Sequence, residues 1–522
     1  MNRRNFIKLA SLCSVASLLA GQKGYAQSNN PARSVSAASV IPEGESKAFS
    51  EQWLFTKAQN LAHAAYKKPK LDLPEQLEKL NSQQYQAIRY KQDATIWKND
   101  NLGFQMQCFH TGFQYEVPVD MYLIDGGKAQ PFKYSPSLFE FSAPVTAPPA
   151  DSKGGFSGLR LLAPVNHPGS WEEFLIFQGA SYFKALATSQ TFGISARGVC
   201  INTAQRGGEE FPVFRSFWVQ KPAPGDRQLL MYGLLDGPSL TGVYKFRVEP
   251  GRSTVMDVEC TLFPRKTLSH VGIGPLTSMY YYGAADPTRL DDYRPNVHNS
   301  DGLLVWTGGG EWLWRPLVNP ERLQYSVFVD RDPKGFGLMQ RERSFYAYQD
   351  IGARFGNRPS VWVEPLGNWG EGAIDLVELP TRSEIYDNVV AFWRPKKPLE
   401  KTGGHYYHYR LHWGWEPPVR STEAHVVGTH VGSQGKPENR RFVVDFVSGS
   451  SCNGCNVPPF SADVRAGEGE IKNITVQPNP VTGGQRVMFD YLPGRTQVTD
   501  LRCILKQNGQ IISETWVYRW SV

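Results

Sequence analysis

Residues 298–316 read His-Asn-Ser-Asp-Gly-Leu-Leu-Val-Trp-Thr-Gly-Gly-Gly-Glu-Trp-Leu-Trp-Arg-Pro. They bring an imidazole (His298), two carboxylates (Asp301, Glu311), a glycine run and three tryptophans into one short segment. A packed core gains little from this mixture, because a buried charge is costly unless paired and glycines weaken any regular element. A saccharide site uses all of it. Indole faces stack on pyranose rings, carboxylates bond hydroxyls and move protons, and glycines let the backbone come close. A second stretch of similar character, Glu384-Ile-Tyr-Asp387 running on to Trp393, is expected to face the first. The competing reading is a Trp-rich sheet edge and turn in an all-β protein.

Other chemistries are poorly represented. The chain has no P-loop, no HExxH and no EF-hand loop, and Ser195 in Gly193-Ile-Ser-Ala-Arg197 lacks the context of a nucleophile elbow. The histidines of His405-Tyr-Tyr-His408-Tyr-Arg-Leu-His412 alternate faces on a strand, which argues against a three-His metal site. Cys452-Asn-Gly-Cys455 has no second CxxC for zinc and no βαβ setting for redox work, so a local disulfide is the preferred reading. Cys108, Cys200 and Cys260 read as ordinary buried thiols. No metal or organic cofactor is implied. The formal charge is +7, and removing a leader with four basic and no acidic residues leaves +3, which does not indicate nucleic-acid binding.

The elements that must position these groups are strands. The chain is 522 residues long, enough for more than one domain. Arg3-Arg4-Asn-Phe6-Ile-Lys8, an apolar run to Ala20 and Gly24-Tyr-Ala26 read as a twin-arginine signal peptide over 1–26. That predicts export to a bacterial periplasm with no membrane insertion. Residues 27–45 read as a disordered linker. Helical spacing covers Ser46–Lys67, and Leu73-Pro74-Glu75 starts a second helix. Strand signals then dominate to Trp393. In Leu323–Asp330, residues Leu323, Tyr325, Val327 and Val329 share one face of a half-buried strand. Met256–Phe263, Ile374–Leu379 and Val389–Trp393 behave similarly. No βαβ rhythm appears, so an antiparallel sandwich is favoured over 46–394. Residues 395–404 read as a linker, 405–522 as an immunoglobulin-like sandwich, and 427–440 within it as a mobile loop.

Several words in the chain match one family. They include Gly179-Ala-Ser-Tyr-Phe183, Ser195-Ala-Arg-Gly198, Glu209-Glu-Phe-Pro212, Gly272-Ile-Gly-Pro275, Pro333-Lys-Gly-Phe-Gly-Leu338, Tyr348-Gln-Asp350, Trp362-Val-Glu-Pro365, Arg441-Phe-Val-Val-Asp-Phe446 and Ser513-Glu-Thr-Trp516. Together with the two opening stretches they run in order over nearly the whole mature chain. On them the chain resembles the periplasmic glucan biosynthesis family (OpgG and OpgD, also called MdoG and MdoD), and the paired arginines suggest the D type. The resemblance implies an all-β architecture, a large galactose-mutarotase-like supersandwich followed by an immunoglobulin-like domain. It implies linear or branched β-1,2-glucan as the partner, with a homodimer among the family's options.

The resemblance also implies an inverting endo-hydrolase or transglycosylase of β-1,2-glucan. Such an enzyme needs an acid and a base about 6.5–9.5 Å apart. The general acid falls on Asp387, with Glu384 beside it. The family's base position falls on Asn299, whose amide cannot accept a proton at neutral pH. Phe355 stands where the family commonly has Tyr. His298, Arg358, Trp362, Glu311 and Trp312 are the further substrate-binding candidates. Either Asp301 takes over as base, or it only caps the turn before Gly302. The chain is then either a working enzyme or a glucan-binding, chain-handling protein that keeps the cleft without the hydrolytic relay.

Overall fold

The computed structural model describes residues 45–71, 73–149, 152, 154–287, 291–401, 403–447 and 460–522. The signal peptide, nearly all of the 27–45 linker and the Cys452–Cys455 pair lie outside them. The described residues are mostly strand in several sheets, with few short helices and no barrel, which is the expected all-β sandwich class. Among them no helix is long and apolar enough to cross a membrane. The chain divides into two compact units, residues 1–275 with 396–413, and residues 276–395 with 414–522.

In the first unit, one sheet orders Lys47–Ala48, Lys128–Phe132, Asp120–Asp125, Val213–Gln220, Leu229–Asp236, Leu240–Glu249, Thr254–Pro264 and His405–Gly414. All pairs are antiparallel except Val213–Gln220 on Asp120–Asp125. A second sheet runs from Gln105–His110 through Phe156–Ala163, Glu172–Gln178 and Tyr182–Ala185 to Ser195–Arg197. The sheets meet through rings. Phe177 of the second sheet packs edge-on against Phe217 and Phe246 of the first, each at 5.1 Å. The strand opening at His405 pairs with Thr254–Pro264, Trp413 lying opposite Thr254. The sequence reading had it opening the C-terminal sandwich; strand alternation alone does not name a partner.

The expected first helix forms over Glu51–His63. Ser50 caps it, its hydroxyl accepting from Trp53 N at 3.2 Å. Leu54 and Ala58 sit on the buried face against Trp218, Tyr232, Leu234 and Val243. The second is broken into Glu75–Glu78 and Ser82–Gln86. Cys108, Cys200 and Cys260 are buried thiols outside any disulfide, as read from sequence, and so is Cys503.

His110 lies buried in this unit, with Nε2 2.6 Å from the Tyr134 hydroxyl and Nδ1 2.5 Å from the Thr111 carbonyl. Burial pulls its imidazole down to about 4, against the opposing Thr111 bond. The unfolded chain therefore binds this proton more readily. The stability it confers is complete above about pH 6.5 and is lost as pH falls through about 4, a total of about 3 kcal/mol. Unfolding free energies measured from pH 7 to 4 should fall by that much more in the wild type than in His110→Gln. Parallel curves would contradict the assignment.

In the second unit, one sheet orders Ser360–Pro365, Gly335–Met339, Gly302–Trp306, Trp312–Pro316, Thr515–Ser521, Val498–Gln507 and Phe460–Ala466. Gln324–Arg331, Glu371–Glu378 and Val389–Pro395 form a three-stranded antiparallel run. His425–Gln434, Lys436–Val447, Gly484–Leu492 and Glu470–Asn479 form a four-stranded sheet. The core joins Trp314, Trp516, Tyr518 and Trp520 to Phe442, Phe489 and Tyr491. Buried Arg315 donates to Glu378 at 2.9 Å, and Glu378 also accepts from Val318 N, so neither charge is left alone.

Two expectations change here. Residues 427–440, read as a mobile loop, form a hairpin that turns at Gly435, where φ is +72°. Its small and polar residues hid the alternation that buries Val426, Thr429, Phe442 and Val444. In Gln324–Arg331 the shared apolar face is the outer one. Val327 and Val329 are exposed while Gln324 and Ser326 are buried.

Candidate functional site

The turn 298–301 hangs from a short antiparallel pairing of Val297–His298 with Tyr280–Tyr282. Asn299 N donates to Met279 O at 2.8 Å, and Ser300 Oγ lies 2.7 Å from Ser278 Oγ. Asn388 grips the same segment 278–280. Its N donates to Ser278 O at 3.0 Å, and its Oδ1 accepts from Tyr280 N at 2.8 Å. One strand thus carries both the 298–301 turn and the residue next to Asp387. The two stretches singled out in sequence are brought together by backbone.

Arg358 bonds one of them and feels the charge of the other. It is buried, lies over the Phe355 ring at 4.4 Å and donates to Asn299 Oδ1. Burial lowers its guanidinium to about 10, opposed chiefly by the charge of Asp387 and then by Glu384 and Asp350. It stays protonated at neutral pH, bonded to the Asn299 amide oxygen and within the field of Asp387. Asp387, Asn299 and His298 are each less than 5% exposed.

The tautomer of His298 follows from Gln340, a residue the sequence reading missed. Gln340 Nε2 donates to Tyr348 OH (2.8 Å), Phe355 O (3.1 Å) and His298 O (3.3 Å). Its Oε1 is therefore the acceptor 3.1 Å from His298 Nδ1, which carries the ring proton. The lone pair is left on Nε2, 3.5 Å from Asp301 Oδ1. Burial holds this imidazole below its usual range against the pull of Asp301. Tyr280 stacks on the ring at 5.1 Å and fixes its plane. The other Asp301 oxygen accepts from the backbone N–H groups of Arg341 and Glu342. Asp301 thus caps a turn with one oxygen and faces an imidazole lone pair with the other.

Glu384 belongs to a second missed feature. Arg294 donates to Asp292 (3.0 and 2.8 Å), Asp350 (3.0 Å) and Glu384 (2.8 Å), gathering three carboxylates from three loops. Those bonds hold the Asp292 carboxyl well below its usual range. Asp350 passes the constraint on, since its Oδ1 accepts from Ala353 N, whose carbonyl receives Arg358. Glu384 lies three residues before Asp387. Arg294 therefore steadies both sides of the Asp387–Arg358 pair. In Arg294→Gln the three carboxylates lose their shared cation, so amide exchange in 345–357 and 381–388 should quicken about tenfold or more. Exchange in 498–507 should stay unchanged. An unaltered rate in the first two segments would contradict this role.

The remaining candidates lie apart from this group. Trp312 stacks on Trp306 at 4.8 Å and on Trp362 at 6.0 Å, and both Trp312 and Trp362 are buried. Their faces are taken by core packing. Glu311 accepts from Thr515 Oγ1 at 2.6 Å and pairs with Arg502. Among the described residues no hydrogen bond or ion pair joins it to Asp387 or the 298–301 turn. Its glycine run makes a hairpin turn, and a side chain at Gly308 would strike Arg331 O. For this part of the opening stretch the turn forms as read, but its two strands lie inside the sheet and not at an edge.

The comparisons with known proteins agree with one another. The profile of the family described as "Periplasmic glucan biosynthesis protein, MdoG" matches residues 49–520. A "Glucans biosynthesis protein G" of Rhodopseudomonas palustris (strain BisA53) is 46% identical over 89% of this chain and 92% of its own length. The protein of that name from Bradyrhizobium diazoefficiens is 43% identical over 93% and 97%. The one from Vibrio cholerae serotype O1 (strain ATCC 39541) is 40% identical over 99% and 98%. The chain is a member of the MdoG family of periplasmic glucan biosynthesis proteins.

Proposed function

We propose that the protein acts on the β-1,2-glucan backbone of osmoregulated periplasmic glucans as an inverting endo-hydrolase or transglycosylase. Asp387 is the general acid, and His298 with Asp301 is the base. The observation that carries this reading is His298 Nε2 lying 3.5 Å from Asp301 Oδ1 while Nδ1 lies 3.1 Å from Gln340 Oε1. A proton taken from a water or a sugar hydroxyl would be shared by two acceptors there. The family's Asp at position 299 is an amide here, so the accepting site moves along the same turn. A sugar hydroxyl held by the neighbouring glucosyl unit would tolerate this displaced base better than free water, which favours transfer. Arg358 orients Asp387 and Asn299 across the scissile linkage.

A second reading, a glucan-binding and chain-handling protein, rests on the burial of Asp387, Asn299 and His298 and on the anchoring of one Asp301 oxygen by two backbone amides. Export through the twin-arginine route remains our reading of residues 1–26, in keeping with the periplasmic family. The relatives reported above carry the G name, and nothing in them supports the D type that the paired arginines suggested.

The test is incubation of the mature protein with linear β-1,2-glucan. Shorter or cyclic chains are expected, and any freshly hydrolysed end should appear first as the α anomer, because inversion of a β linkage gives that hand. Intact glucan at high protein loading, with binding retained, would favour the second reading.

A further inference from the structure

We propose that Arg197 and Glu209 form a second binding site, which holds a hydroxyl group between guanidinium and carboxylate. Both residues belong to words that the Asp387 site does not use, and both lie in the first unit. Arg197 ends the strand Ser195–Arg197, and Glu209 follows the exposed residues 205–207. They make one ion pair, Arg197 Nη1 to Glu209 Oε1 at 2.7 Å, with side chains 1% and 3% exposed. Thr203 Oγ1 donates to the same carboxylate oxygen at 2.7 Å. These bonds satisfy neither group. Among the described residues, Arg197 Nε and Nη2 and Glu209 Oε2 are buried with no hydrogen-bond partner. Ser195 Oγ, two residues back on the same face of the strand, is in the same position.

Unpaired atoms on a buried charge are rare, because each has given up its hydrogen bonds to water. Two features keep these atoms from finding other partners. The guanidinium lies over the Tyr182 ring at 5.2 Å and the Phe211 ring at 5.8 Å, which hinders it from swinging away. The carboxylate is held through Thr203, whose neighbours Asn202 and Ala204 have φ of +56° and +58°. An alanine seldom adopts that left-handed backbone, and such strain gathers at segments that clamp a ligand. The unpaired atoms also select what they bind. The two charges cancel, so an ion would bury a third charge without a partner. The ligand must accept from Nε or Nη2 and donate to Oε2. A carbonyl or ether oxygen cannot donate and an ammonium cannot accept, whereas a hydroxyl oxygen does both. It comes either from an ordered water or from a sugar, and the second source rests on the glucan reading given above.

Crystals of the mature wild-type protein, free and soaked in the β-1,2-linked disaccharide of glucose, test this at a resolution that shows ordered water. The free crystal should show an oxygen about 2.6–3.2 Å from Glu209 Oε2 and from Arg197 Nε or Nη2. If the soak leaves that oxygen as it was, water is the source. If a hydroxyl of the disaccharide replaces it, the sugar is. Both results support the site. A direct second bond from Nη2 to Oε2 with no oxygen between them, or a halide or other anion on the guanidinium, would overturn it. Calorimetry checks the source in solution. Glu209→Gln can still accept through one oxygen from Arg197 and Thr203, but it sets an amide N–H₂ against the hydroxyl. Disaccharide affinity should fall about tenfold where the sugar supplies the hydroxyl, and not where water does. Neither readout involves cleavage of glucan, so a failure of the Asp387 mechanism would leave the result at Arg197 and Glu209 standing.

Discussion

Asp387→Asn should lower product release from linear β-1,2-glucan by about a thousandfold, within the usual span of a lost acid. The amide keeps the size of the carboxyl but cannot donate a proton to the leaving oxygen. It also removes the group that does most to offset the burial of Arg358, and that guanidinium is the side chain that reaches Asn299. A fall in melting temperature should therefore accompany the loss of activity. Binding of the glucan should survive, because the loops gathered by Arg294 are untouched. Unchanged product release would remove Asp387 from the mechanism.

The second large effect is a gain. Asn299→Asp with Phe355→Tyr restores the two residue types that the family commonly carries, and hydrolysis should rise by about tenfold to a hundredfold. The Asn299 side chain already accepts from Arg358 through one oxygen. A carboxylate would keep that bond and add a second oxygen able to take a proton from water. Phe355 lies under Arg358 and 5.7 Å from Tyr348, so a phenol there adds a hydroxyl to an existing polar chain running through Gln340 to His298. The ratio of hydrolysis to transfer should shift towards hydrolysis. No gain in either would mean that the proton does not travel through position 299.

How far the sequence led depends on whether a feature was local. Asp387, Glu384, His298, Asn299 and Arg358 could be named from sequence because each sits in a short word with recognisable neighbours, and the strand 278–282 pairs with His298 and bonds Asn388, the neighbour of Asp387. Trp312 and Trp362 were misjudged because composition does not tell an indole stacked on sugar from one stacked on other indoles. Arg294 was invisible because its partners Asp350 and Glu384 lie far along the chain, and only folding makes them neighbours. The same holds for Gln340, whose amide sets the His298 tautomer across a gap in sequence. Period-two alternation grouped Leu323, Tyr325, Val327 and Val329 correctly. It carries no sign, however, and here that stripe is the outward one.

The burial of Asp387 also bears on how a glucan arrives. The loops around it show Tyr293, Phe345, Tyr346, Ile351 and Ile385 to solvent, while the polar centre beneath is closed. A chain reaching Asp387 has to part segments that Arg294 holds together, so glucan binding and exchange at Arg294 should be coupled.

The most direct measurement is a crystal structure of Asp387→Asn holding a linear β-1,2-glucan oligosaccharide. A glycosidic oxygen within hydrogen-bond reach of residue 387, with the adjoining glucosyl unit turned towards His298 and Asp301, is the predicted result. An oligosaccharide seated elsewhere, with the 298–301 turn and residue 387 still packed shut, would contradict it.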